Sequence, residues 1–244
     1  MCNLIDCNSP IGIFDSGIGG LSVLNRAKKL MPTENFIYLG DNGNTPYGNK
    51  KIEQLKRLSL TSIETLTALN CKVICVACNT LSTSVLDYMK EVSSVPIIPT
   101  LPINIVRESQ NATLMATPNT INSGYVKTNF QGVNLLPLPF LAREIEQNPF
   151  DLSKVNVRLD VKGVKEGCDL IILGCTHYSF VKNEIERLSK VKTVDTLDHT
   201  ANLIRQTVDN LGLLNKNGGK ITFIGDFKRY NRRVYKYLKT LKWA

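Results

Sequence analysis

Apolar and polar positions along this chain fall into two alternating rhythms. Short unbroken apolar runs occur at 11–14 (IGIF), 36–40 (FIYLG), 72–77 (KVICVA), 95–99 (VPIIP), 112–117 (ATLMAT), 133–138 (VNLLPL), 169–174 (DLIILG) and 221–225 (ITFIG). Between them, apolar residues return at helical spacing near 19–31, 50–69, 80–92, 119–128, 151–166, 178–189 and 198–212. Runs apolar on both faces, separated by helices, predict parallel strands covered from both sides. The fold class is therefore α/β.

The pattern also repeats. IGIFDSGIGG at 11–20 and ATLMATPNTINSGY at 112–125 each read as an apolar strand, a small polar turn and a helix. About sixty residues later in each half comes a cysteine-tipped strand, CKVICVACNT at 71–80 and CDLIILGCTH at 168–177. This echo predicts two pseudo-symmetric α/β domains with mainly parallel sheets facing across a central cleft. The expected division is 1–99 plus 208–244 for the first, carrying Asp15 and Cys78, and 100–207 for the second, carrying Cys175 and His177. Ligands of such folds bind beyond the carboxyl ends of the strands, where both cysteines stand.

A chain of 244 residues with ordinary composition buries a substantial core. No apolar segment is long enough for a bilayer helix, and MCNLIDCNSPIGIF has no basic leader before an apolar stretch. Seven cysteines without framework spacing fit free thiols in a reducing cytoplasm. The net charge of +9 raises nucleic acid as a partner, but residues 228–244 alone hold seven Lys and Arg and no acid. Within that tail Phe227, Tyr230, Val234, Leu238 and Leu241 recur at helical spacing, so a docked helix with a solvated basic face is favoured over an anionic surface contact. With the rest of the chain near neutral, neither membrane nor nucleic acid is expected as a partner.

Cys75 and Cys78 form a C-x-x-C, yet no second such pair exists to complete a structural zinc site. Cys75 lies inside its strand and points away from the face of Cys78, so Cys71, Cys75 and Cys168 read as small core residues. Cys78 and Cys175 differ, because each ends a strand before a helix, where free N–H groups favour a thiolate. Asn79–Thr80 and Thr176–His177 bring polar donors to the same two ends, suited to a carboxylate. Asp15 and Ser16 end the first strand ahead of three glycines, and an acid at an apolar strand tip needs a partner or a task. His177, two residues beyond a candidate thiol, suits proton transfer. No G-x-G-x-x-G or P-loop pattern supports a nucleotide.

Taken together, GIFDSGIGGLSVL, YLGD…PYG, VACNT and LGCTHY resemble the glutamate racemases of the aspartate/glutamate racemase superfamily, in order and approximate spacing, over about residues 11–209. The resemblance implies interconversion of L- and D-glutamate without pyridoxal phosphate or metal, supplying D-glutamate for peptidoglycan, in a cytoplasmic homodimer. It assigns Cys78 to deprotonation of the D-enantiomer with Asp15 assisting, and Cys175 to the L-enantiomer with His177 assisting. Asp15, Ser16, Tyr47, Gly48, Asn79, Thr80, Thr117, Thr120, Thr176 and His177 would line the substrate site. A glutamate that assists the second cysteine in some members corresponds to Glu144 or Glu146. An aspartate racemase or another isomerase of the superfamily is the alternative. Opposed thiols make chemical sense of the doubled strand, since inversion at one carbon needs a base on one face and an acid on the other.

Overall fold

The computed structural model describes residues 5–102, 111–149 and 151–225. Two parallel sheets organise them. The first contains β1 (Ile11–Asp15), β2 (Phe36–Gly40), β3 (Val73–Val76), β4 (Ile97–Pro99) and β9 (Ile221–Gly225), in the order β4-β3-β1-β2-β9. The second contains β5 (Ala112–Ala116), β6 (Asn134–Pro137), β7 (Leu170–Gly174) and β8 (Lys192–Val194), in the order β6-β5-β7-β8. Matching β5, β6, β7 and β8 to β1, β2, β3 and β4 makes the two orders the same, with β9 added beyond β2. The register also corresponds. Phe14 pairs with Val76 in the first sheet and Ala116 with Gly174 in the second, so each central strand flanks the one that leads to a cysteine.

The strands form where the apolar runs place them, because every residue of β1, β2, β3, β5 and β7 is buried. Burying each large aliphatic side chain contributes about 1.5–3 kcal/mol. Alternation sends Cys75 into the core layer of Ile11 and Ile13, and Cys78 into the opposite layer with Phe14 and Val76. The two cysteines of the C-x-x-C thus face opposite sides. Burial pushes the Cys71 and Cys75 thiols up to about 12. Cys168 is only partly buried and reaches Thr113 Oγ1 at 3.3 Å.

Helices α1 (Leu21–Leu30) and α2 (Ile52–Ala68) cover the first sheet. The expected helix at 80–92 is divided at Val85 into α3 (Asn79–Ser84) and α4 (Leu86–Val92). That at 119–128 is divided by Ser123, whose hydroxyl accepts from Val126 N, into α5 (Pro118–Asn122) and α6 (Gly124–Asn129). Two elements depart from the pattern reading altogether: α7 (Leu141–Gln147) and the three-residue edge strand β8. The segment expected as one helix at 151–166 is a 3-10 turn followed by α8 (Val157–Val161). The next helix begins as a 3-10 turn over Thr176–Val181 and continues as α9 (Lys182–Ser189). Finally, α10 (Leu197–Asn210) buries Leu197, Ala201, Ile204 and Val208 on one stripe and packs against α1.

At the amino ends of the first sheet's strands lies a buried ion pair. Lys72 Nζ donates to Glu34 Oε2 at 2.7 Å and to the carbonyls of Cys7 and Leu213, each at 2.8 Å. Glu34 Oε1 accepts from Asn215 N at 2.7 Å. Four separate segments are joined there, and all three ammonium protons are used. The predicted tail helix at 228–244 lies outside the described residues. Among the described residues, no helix is long and apolar enough to cross a membrane.

Candidate active site

Both sheets direct their carboxyl ends toward one another, and the sequence-predicted residues gather there. Cys78 follows β3 and caps α3; Cys175 follows β7 and caps the 3-10 turn. They are 6 % and 8 % exposed, so both thiols are screened from water. Asp15, at the tip of β1, is fully buried. Its Oδ2 accepts from Gly17 N at 3.2 Å and Gly20 N at 3.1 Å, while Oδ1 has no partner among the described residues.

Glycine in the β1–α1 turn is a steric requirement. A Cβ at Gly17 would run into the Glu146 carboxylate, and one at Gly19 into the His177 ring. The turn therefore lets backbone of the first half touch the catalytic candidates of the second. Ser16 is buried within it.

Around Cys175 the side chains form a line. His177 Nδ1 lies 3.9 Å from Cys175 Sγ, and His177 Nε2 lies 2.8 Å from Glu146 Oε2. Glu146 Oε2 also accepts from Ile18 N at 3.0 Å, and Oε1 from Asn42 Nδ2 at 2.9 Å. Of the two glutamates that sequence left open, Glu146 is the one in the site. Glu144 points elsewhere and accepts from Asn156 N at 3.3 Å. Burial opposes charge on His177, but its hydrogen bonds to Cys175 and Glu146 outweigh that and hold it well above its ordinary value. Burial likewise opposes charge on Glu146, and His177, Ile18 N and Asn42 together hold it below the usual carboxylate range. Both shifts run toward imidazolium paired with carboxylate.

Around Cys78 the electrostatics run the other way. Burial, then the charge of Asp15, pushes its thiol up, and Cys175 adds to the effect. Amides of Leu81 and Thr80 at the start of α3 work against this and are outweighed. The amides at the start of α3 thus act in the expected direction at Cys78, but burial and the Asp15 charge exceed them. Burial also raises Asp15, against the pull of His177 and the Gly20 and Gly17 amides. A carboxyl raised this way is a better proton acceptor for a neighbouring thiol.

The remaining candidates join the two halves. Thr80 Oγ1 lies 3.0 Å from Thr117 Oγ1, which donates to Thr120 Oγ1 at 3.1 Å. Asn79 donates through Nδ2 to Thr100 O at 3.0 Å and leaves Oδ1 unpartnered among the described residues. Tyr47 is buried and donates its hydroxyl to Asp41 Oδ2. Gly48 O accepts from Asn119 N at 3.0 Å, and a Cβ at Gly48 would fall 2.7 Å from that of Thr117. Thr176 is buried beside Gly19. Asn42, in a stretch the pattern leaves as a loop, and Asn119, at the start of the helix expected at 119–128, did not emerge from the sequence as site residues. Among the described residues, no group of three His, Cys, Asp or Glu side chains gathers as a metal site.

No family model matches the chain. A glutamate racemase of Clostridium acetobutylicum is 34 % identical over 91 % of this chain and 93 % of its own length. One from Fusobacterium nucleatum is 35 % identical over 91 % of this chain and 90 % of its own. Among solved structures, glutamate racemase from Francisella tularensis in complex with D-glutamate superposes with a TM-score of 0.78 at 28 % identity, covering 90 % of this chain and 88 % of that one.

Proposed function

This chain belongs to the glutamate racemase family, and we propose that its Cys78 and Cys175 are the two bases that invert the α-carbon of glutamate. The activity is that of an amino-acid racemase, an isomerase. The observation that carries the mechanistic reading is placement: two buried thiols stand at equivalent strand ends of two sheets with the same order.

In the L-to-D direction, Cys175 takes the α-proton from one face. His177, held by Glu146, stands beside the sulfur and is placed to exchange the thiol's proton. Cys78, held as a thiol by burial and Asp15, delivers its proton to the opposite face. In the reverse direction Cys78 is the base, and Asp15 is the group able to accept its proton beforehand. Asn79, Thr80, Thr117, Thr120, Thr176, Ser16, Tyr47 and Gly48 provide hydroxyl, amide and backbone groups for the substrate's carboxylates and amine. The product serves peptidoglycan synthesis, as family membership implies.

The proposal includes a domain division at 1–99 plus 208–244 and 100–207, supported by which strands share each sheet, and a homodimer in the cytoplasm, resting on the resemblance alone. The test is circular dichroism of L- and D-glutamate, and of both aspartates, with protein dialysed against chelator and a carbonyl-trapping reagent. Racemisation of glutamate in preference to aspartate, undiminished by either reagent, is the expected result. Activity that returns only with an added metal or carbonyl cofactor contradicts the mechanism. Preference for aspartate contradicts the substrate.

A further inference from the structure

Among the described residues three donors meet the Glu146 carboxylate, and two of them come from the other half of the molecule: Ile18 N and Asn42 Nδ2. The third is His177, whose other nitrogen faces Cys175. Ile18 offers a backbone amide, whereas Asn42 reaches this carboxylate from the first half through its side chain. Its amide orientation is dictated by chemistry, because an ionised carboxylate only accepts, and a flipped amide would set oxygen against oxygen. Asn42 Oδ1 is meanwhile shut off from solvent with no partner among the described residues. An unsatisfied buried carbonyl carries a cost. The arrangement thus favours the donor to Glu146 at the expense of the acceptor.

The loop that carries Asn42 is itself fixed. Asp41 N donates to Asp15 O at 3.0 Å, Asp41 Oδ1 accepts from Asn44 Nδ2 at 2.9 Å, and Asp41 Oδ2 accepts from the Tyr47 hydroxyl. Asn42 therefore approaches Glu146 from a braced position next to the strand end that bears Asp15.

We propose that Asn42 is a positioning residue for proton abstraction from the L-enantiomer, acting across the boundary between halves to fix the Glu146 carboxylate that orients His177 toward Cys175. The inference rests on the reading that Cys175 faces the L-enantiomer. It makes the Cys175 side of the site competent only when the two halves are together, whereas Cys78 and Asp15 both lie within the first half. The two proton transfers then differ in their dependence on this bond.

The experiment measures initial rates of chloride elimination from the L- and D-forms of a β-chloro analogue of glutamate, using full-length Asn42→Ala, Asn42→Asp and Cys175→Ala. Elimination needs only the abstracting base: the Cα–H proton goes to the thiolate, the electron pair forms the Cα–Cβ double bond, and chloride leaves with the C–Cl pair. For Asn42→Ala the L-form rate falls about 10–100-fold, the range for losing a hydrogen bond to a charged group. The D-form rate stays within about twofold and reports that the protein is folded. Asn42→Asp sets two carboxylates together, so its L-form rate is lower still near pH 8 and recovers toward pH 6, on the order of where one of such a pair takes a proton. Equal losses on both enantiomers in Asn42→Ala, or no loss at all, overturn the inference. If Cys175→Ala still eliminates from the L-form, the underlying base assignment fails. If it does not, while Asn42→Ala eliminates from the L-form at the unsubstituted rate, only the role of Asn42 fails.

Discussion

Alanine at Cys78 or at Cys175 lowers kcat/KM for glutamate racemisation by about 10³–10⁴-fold in both directions, the upper part of the range for a general acid–base group. Each thiol is the acid in one direction and the base in the other, so neither loss is confined to one enantiomer of the natural substrate. The β-chloro analogue separates them, since elimination needs no opposing acid. Cys78→Ala should process only the L-form and Cys175→Ala only the D-form. Both side chains are small and buried at strand ends, so the substitutions remove little packing. If either variant eliminated chloride equally from both enantiomers, one thiol would be serving both faces and the two-base assignment would fail.

Lys72→Met costs about 3–5 kcal/mol of folding stability, the usual result of leaving one charge of a buried pair alone. Glu34 would keep its bond from Asn215 N but lose its counter-ion, and the carbonyls of Cys7 and Leu213 would lose their donor. The side chains of the pair are 0 % and 1 % exposed, so neither is compensated by water. Denaturant titration reads the loss as a lower midpoint with an unchanged slope. Because Lys72 precedes β3 and Cys78 follows it, the variant that remains folded at low denaturant should racemise at close to the normal rate. An unchanged midpoint, or a rate lost without stability, would contradict this structural role.

The sheets were legible in the sequence because their strands are buried on both faces and so read as unbroken apolar runs. The cysteine-tipped echo announced two similar halves, while their matching strand orders come from the structure. β8 escaped because three edge residues, Lys192–Val194, leave too short a signature. β6 was read correctly as a strand, although alternate exposure and Pro137 mark it as an edge. The site residues that end strands were recognised from position and resemblance. Glu146 could not be separated from Glu144, since the choice depends on which face of α7 meets His177. That seven-residue helix shows only Leu141, Ala142 and Ile145 as an apolar stripe. Asn42 was invisible for a different reason: its partner lies 104 positions away, and nothing in GDNGNT announces a contact between halves. At Cys78 only the helix-start contribution could be read locally, because burial and a neighbouring carboxylate depend on tertiary surroundings.

The central claim is that one thiol removes the α-proton while another, on the opposite face, supplies a different one. Its most direct test is racemisation of L-glutamate in deuterated water, stopped early, with the isotope at Cα measured separately in each enantiomer. The account predicts that D-glutamate carries deuterium from the first turnovers, because Cys78 delivers a solvent-derived atom, while the remaining L-glutamate keeps its hydrogen. D-glutamate that retains the original hydrogen would mean a single group carrying the same proton between both faces, and would contradict the two-thiol account.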